Sequence, residues 1–211
     1  MKLYDYFRSS AAYRVRIAIE LKGLDVERIP VHLARGEQRR ADYLAKNPQG
    51  LAPALELDDG TILTQSLAII DYLDALAPQP LLTPKDPLLA AKVRGVALAI
   101  ACDIHPLNNR RVLDYLRERL GQDDSGVDAW VHHWVLQGGL EAVERLVEPG
   151  PFCFGAQPTL ADVCLVPQLF AARRFSTPLE TLPKLLAVEA HCLAHPAFAA
   201  AEPSRQADAE P

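Results

Sequence analysis

No apolar run in this chain approaches the roughly 18 residues that a membrane-spanning helix needs, so a membrane partner is not expected. The N-terminus, Met-Lys-Leu-Tyr-Asp-Tyr, lacks the apolar core of a secretory signal, and the chain reads as cytoplasmic. Charge of one sign is also scarce. The 22 Lys and Arg against 27 Asp and Glu leave a formal charge of -5, which gives no reason to expect nucleic acid. Cysteine is sparse: Cys102, Cys153, Cys164 and Cys192 form neither a CxxC pair nor a zinc-ligand spacing. No metal is expected from them, and they read as small buried hydrophobes rather than disulfide partners.

What is present is an ordinary globular composition, 49% hydrophobic and 23% charged over 211 residues, enough for one large domain or two small ones. Lys2 to Tyr6 reads as a strand. Ala12 to Leu21 reads as a helix closed by a glycine C-cap at Gly23, and Val26 to Val31 as a second strand, giving a βαβ unit. A short helix over Glu37 to Leu44 ends at Asn47-Pro48. Ala54 to Leu57 and Thr61 to Leu63 flank Asp58-Asp59-Gly60, a tight-hairpin signal, and Ser66 opens a helix to Leu76. The order βαβαββα is that of a thioredoxin-like domain over residues 1–80. Pro53 stands where that fold commonly carries a cis-proline.

Residues 77–87 contain four prolines, which mark a boundary. From Leu88 the pattern is helical, so an all-α domain is expected over 88–211. Pro106 should kink or break the helical pattern of residues 88–120, and Gly126 to Val147 reads as a helix whose Trp130 and Trp134 pack the core. Thr159 and Asp162 have capping-box spacing at the head of a helix running to Arg174-Phe175. Pro183 to His195 makes a last helix, and the tail from Glu202 is expected to fray.

The first strand-to-helix turn carries Ser9 and Ser10. A helix N-terminus offers unpaired N–H groups and the positive end of a dipole, which favour an anion such as a thiolate. Ser9 can equally be a plain N-cap. With Ser9-Ser10-Ala11-Ala12 in place of a dithiol, the turn cannot run thiol–disulfide exchange. A hydroxyl there can donate to a thiolate brought in by another molecule, for which glutathione is the natural candidate.

Residues 7–18, Phe-Arg-Ser-Ser-Ala-Ala-Tyr-Arg-Val-Arg-Ile-Ala, resemble the signature of the zeta class of glutathione transferases, usually Ser-Ser-Cys-x-Trp-Arg-Val-Arg-Ile-Ala. Residues 47–55, Asn-Pro-Gln-Gly-Leu-Ala-Pro-Ala-Leu, and 64–70, Thr-Gln-Ser-Leu-Ala-Ile-Ile, are similar to that family's two other glutathione-contacting segments. The resemblance departs at Ala11 and Tyr13, which replace the family's cysteine and tryptophan, so no mechanism through an enzyme cysteine is available at this turn.

The resemblance implies the glutathione transferase fold and glutathione as cofactor. Ser9 would activate the thiol with Ser10 assisting, and Ala52, preceding Pro53, would pair its backbone with the cysteinyl unit. Gln65 and Ser66 would hold the γ-glutamyl carboxylate, and Gln49 the glycyl end. Residues 102–109, Cys-Asp-Ile-His-Pro-Leu-Asn-Asn, are similar to bacterial isomerases of the family, which brings in His105 for the cofactor and Asn108 for the substrate. Arg8, Arg110 and Arg174 would bind a dicarboxylate, with Arg8 also stabilising enolate charge.

The implied reaction is cis–trans isomerisation of maleylacetoacetate or maleylpyruvate to the fumaryl isomer, in a cytoplasmic homodimer where Asp103 can reach across the interface. Conjugation or dehalogenation of small acids, and a non-catalytic glutathione-binding scaffold, are the competing readings.

Overall fold

The computed structural model describes residues 1–148 and 150–210. The chain divides into two compact units, Met1–Leu81 together with His195–Pro211, and Leu82–Ala194. The division differs from the expected 88–211 domain at the C-terminal end, where residues from His195 onward join the first unit.

The first unit is built on β1 (Lys2–Asp5), α1 (Ser10–Lys22), β2 (Glu27–Pro30), α2 (Ala41–Leu44), β3 (Ala54–Glu56), β4 (Ile62–Thr64) and α3 (Ser66–Leu76). The sheet order is β2-β1-β3-β4, with β1 parallel to β2 and antiparallel to β3, and β3 antiparallel to β4. This is the expected thioredoxin-like pattern. The helix expected over Glu37 to Leu44 is instead one 3-10 turn, Glu37–Arg39, and the single turn of α2, because Arg40 between them is extended. Helix α1 has almost no solvent face: Val15, Ile17 and Ala18 are fully buried, and α3 and α10 (Pro196–Ala201) pack against it.

The tail expected to fray is tied down. Beyond α10 a 3-10 turn at Pro203–Arg205 is followed by Asp208, which accepts the Phe7 N–H at 3.0 Å, and Glu210, which pairs with Arg35 at 2.7 Å. Composition suggested fraying, but these charge pairings are long-range and leave no local sequence signal.

The second unit is helical: α4 (Pro87–Leu98), α5 (Arg110–Glu118), α6 (Asp124–Val131), α7 (Glu141–Leu146), α8 (Leu160–Arg173) and α9 (Pro183–Ala194). Around Pro106 the chain runs as a π-helix over Ala99–Ile104 and then a 3-10 turn over His105–Asn108. A second π-helix, His132–Leu140, joins α6 to α7 and lies against the first, where a Cβ on Gly139 would come within 2.7 Å of the Ile104 side chain. The two tryptophans do not fill the core as expected. Trp134 is 41% exposed and leans on Trp130 with ring centroids 5.8 Å apart, while Trp130 Nε1 donates to the Leu107 carbonyl at 2.8 Å. Cys153, Cys164 and Cys192 are buried free thiols as expected, but Cys102 is exposed. Among the described residues no helix is long and apolar enough to cross a membrane.

The head of α8 carries the expected capping box, and its acceptor is the aspartate. The buried Asp162 carboxylate accepts from Thr159 N and Thr159 Oγ1, each at 2.8 Å, and from Cys153 N at 2.7 Å. Thr159→Ala should therefore cost about 1 kcal/mol, as a lost cap does. Asp162→Ala should cost about 3 kcal/mol or more, because it strands several buried donors at once. Denaturant titration of the two variants checks this, with the aspartate variant expected to be the less stable.

Candidate active site

The turn from β1 into α1 is built around one side chain. Arg16 is fully buried, and its Nη1 donates to both carboxylate oxygens of Asp5, at 2.8 and 3.1 Å. The same guanidinium reaches the Tyr6 carbonyl at 3.4 Å, the Phe7 carbonyl at 3.0 Å and, through Nε, the Ala201 carbonyl at 3.0 Å. The Tyr13 ring lies 5.1 Å from its central carbon. Burial pushes the Asp5 carboxyl up, against the pull of Arg16 and Arg28, and Asp208 adds a further push in the same direction. The carbonyls just before the turn are thus fixed, and Ser9 N closes it by donating to Tyr6 O at 2.8 Å.

Ser9 is the N-cap of α1, its hydroxyl oxygen accepting from Ala12 N at 3.2 Å. The cap and the cradle are therefore compatible: a hydroxyl that accepts one bond still has its own proton to donate. Ser10 begins the helix and is buried. Arg8 is half-buried, with its guanidinium carbon 4.9 Å from the centre of the Phe7 ring.

A second corner forms at the head of α3. Gln65 is held at φ 69° and ψ 116°, a conformation that costs a non-glycine residue energy and that recurs at functional sites. Its Nε2 donates to Gln49 Oε1 at 2.7 Å, which brings two of the expected contact residues together. Ser66 is buried beside it and accepts from Arg14 Nη1 at 3.3 Å, Arg14 itself being 1% exposed.

Between these corners the loop into β3 is organised by buried Asn47. Its side-chain oxygen accepts from Gln49 N at 3.1 Å, its amide donates to Leu51 O at 2.6 Å, and its carbonyl accepts from Gly50 N at 2.9 Å. Tyr43 adds a second donor to Leu51 O at 2.7 Å, and burial pushes that phenol up to about 12. The loop delivers Ala52 and Pro53, joined by a cis peptide bond, to the start of β3.

In the second unit His105 and Asn108 share one 3-10 turn. Asn108 is 7% exposed, and its Nδ2 is buried with no hydrogen-bond partner among the described residues. Arg110 follows at the start of α5, exposed, and paired with Asp114 at 3.3 Å. Arg174 is the exposed C-cap of α8, next to Arg173, whose guanidinium forks onto the buried carboxylate of Glu189.

Residues 3–81 match the family model described as glutathione S-transferase, N-terminal domain, and residues 135–198 match glutathione S-transferase, C-terminal domain. The chain is 53% identical over 210 residues to maleylacetoacetate isomerase of Pseudomonas aeruginosa, covering 99% of this chain and 98% of that protein. It superposes with a TM-score of 0.96 on a holo structure of maleylpyruvate isomerase, a bacterial zeta-class glutathione S-transferase, at 42% identity and full coverage of both chains. A maleylacetoacetate isomerase from Methylobacterium extorquens AM1, solved with bound malonate and glutathione, matches with a TM-score of 0.92 at 36% identity and full coverage of both chains. The chain belongs to the zeta class of the glutathione S-transferase family.

Within this zeta-class site the two arginines of the Arg-Val-Arg signature hold protein groups, and sequence reasoning assigned them no role. The signal was available: charged residues at positions 14 and 16 interrupt an otherwise apolar helix, and a buried guanidinium demands an acceptor set, for which Asp5 at the end of β1 is a candidate. Asn47 stands in the sequence as a helix stop and as the first residue of a family-like segment, with no sign that its side chain orders the loop. Tyr13, which departs from the family's tryptophan, still supplies an aromatic face to Arg16.

Because the Arg16 fork serves a carboxylate and several carbonyls at once, a single ammonium cannot replace it. Arg16→Lys should lower stability by about 3 kcal/mol. The denaturation midpoint measures this, and a change within about 0.5 kcal/mol would show that the fork does not hold the turn.

Proposed function

We propose that this chain is a glutathione-dependent cis–trans isomerase that converts maleylacetoacetate or maleylpyruvate to the fumaryl isomer. The observation that carries the reading is the 53% identity to the Pseudomonas aeruginosa maleylacetoacetate isomerase over 99% of this chain. The residues present suit glutathione. Two helix N-termini, those of α1 and α3, carry Ser9 and Ser66, and Gln65 keeps a strained backbone beside Gln49, as a site shaped for a ligand rather than for its own stability does.

Ser9 would donate its hydroxyl proton to the thiolate, and the N–H groups at the head of α1 would add their field. Ser10, buried at the first helical position, would support that turn. Together these lower a thiol pKa from its ordinary value of about 8.5 and raise the thiolate fraction at neutral pH. Ser66 and Gln65 would hold the γ-glutamyl carboxylate at the head of α3, Gln49 the glycyl end, and Ala52 the cysteinyl backbone before cis-Pro53. His105 would give a further contact. Bound glutathione supplies the sulfur whose reversible addition makes the maleyl double bond single and free to rotate.

The substrate carries two carboxylates, which suit guanidinium forks. Arg8 would stabilise the developing enolate, and Arg174 would take a carboxylate. Arg110 would take the other, and its exposed pair with Asp114 is of the kind that costs little to exchange for a ligand. Asn108 Nδ2 is a buried donor in need of an acceptor, and a substrate oxygen would satisfy it. Conjugation and dehalogenation would consume glutathione stoichiometrically, and a scaffold would turn nothing over; neither is favoured by the relatives. The protein would act in the cytoplasm as a homodimer with Asp103, exposed on the π-helix, near the partner.

Following maleyl absorbance with substoichiometric glutathione tests the reading, and no turnover of either maleyl acid would overturn it. Ser9→Ala should lower kcat by roughly 10- to 100-fold while glutathione affinity changes about twofold. An unchanged kcat removes Ser9 from the chemistry. Arg174→Ala should raise KM for the maleyl acid by roughly 10-fold with KM for glutathione unmoved, as loss of a charge-assisted pair predicts.

A further inference from the structure

The C-terminal tail holds the backbone of the turn from which Ser9 works. The Phe7 peptide, two residues before Ser9, is gripped on both sides: its carbonyl accepts from Arg16 Nη2 and its N–H donates to Asp208 Oδ2, each at 3.0 Å. The same arginine binds Ala201 O at the end of α10, so tail and turn share one anchor. Gln206 Nε2 folds the intervening bend back onto Ala200 O at 3.1 Å and Glu202 O at 2.9 Å. Glu210 then fastens the far end, 2.7 Å from Arg35 and 3.2 Å from His32 Nε2. The contact with His32 and the charges of His32, Arg35 and Arg8 hold Glu210 below the usual carboxylate range.

We propose that Asp208 is a positioning residue for the reaction, fixing the Phe7 peptide so that the Ser9 hydroxyl stays aimed at the glutathione sulfur. The proposal rests on the thiolate-activating role given to Ser9 above. A carboxylate is the strong acceptor for a backbone N–H, and the bond is charge-assisted. A hydroxyl displaced by fractions of an ångström loses its bond to sulfur while the remaining contacts to glutathione, made by α3 and the loop before β3, stay in place. Position and binding are thereby separable.

Asp208→Ala and Asp208→Asn in the full chain test this. The ionisation of bound glutathione is read from the ultraviolet absorbance of its thiolate as pH is raised, a measurement that needs no turnover. Asp208→Ala should move the midpoint up by about 0.5 to 1 unit. It should lower kcat by roughly 3- to 10-fold with KM for glutathione within about twofold. Amide exchange at Phe7 should quicken in the protein without glutathione. Asp208→Asn keeps an oxygen that can accept from Phe7 N, and should recover most of the midpoint and of kcat.

A wild-type midpoint in Asp208→Ala, or equal upward shifts in the alanine and asparagine variants, would overturn the proposal. So would weakened glutathione binding with the midpoint unmoved. If the isomerase reading itself is wrong, the wild-type chain turns over neither maleyl acid while the thiol titration still responds to Asp208, which keeps the two failures apart.

Discussion

The first unit depends on the buried pair of Arg16 and Asp5. Burying two charges is expensive, and such a pair rarely adds stability over well-packed apolar groups. Its return here is geometric. One planar guanidinium meets a strand end, two turn carbonyls and the last carbonyl of α10, so strand, turn, helix and C-terminal segment take up one arrangement. An apolar residue at position 16 would fill the volume and take the guanidinium donors away from Asp5 and from the Phe7 and Ala201 carbonyls.

A common design underlies the heads of α1 and α3. Each is a helix N-terminus with a serine at its head, and behind each stands a buried arginine of α1: Arg16 behind the Ser9 turn, Arg14 behind Ser66. Arg16 donates to a carboxylate and to backbone carbonyls and Arg14 to a hydroxyl, and their charge adds to the positive field of the helix ends in a low-dielectric surrounding. The strained Gln65 is joined through Gln49 to the loop that Asn47 orders.

The element order of the first unit, the hairpin and the helical second unit were legible because they rest on local pattern: β-branched runs, Asp-Gly, and apolar periodicity. Ser9, Gln65 and Ser66 were legible as helix heads, and the capping box at Thr159 and Asp162 as a spacing. What was not legible is everything held by partners distant in sequence. The anchoring of Asp208 to Phe7 and of Glu210 to Arg35 is such a case, as is the close approach of Gly139 to Ile104 where the two π-helices meet. Composition made the tail look disordered because the groups that order it lie in the first 35 residues.

Two of the chain's buried thiols stand where a thiolate is disfavoured. Burial pushes the Cys153 thiol well up, and the Asp162 carboxylate beside it pushes further; Cys192 is raised by burial in the same way. These are places where a thiolate cannot form at neutral pH. The Ser9 turn is the opposite environment, a helix N-terminus with a hydroxyl donor, and at the position where the family carries a cysteine this chain has Ala11. In the proposed function the thiol that Ser9 stabilises is therefore one that glutathione brings. Under that proposal, fixing the turn from behind, through Arg16 and the tail, keeps the activating field in place while the group being activated arrives and leaves.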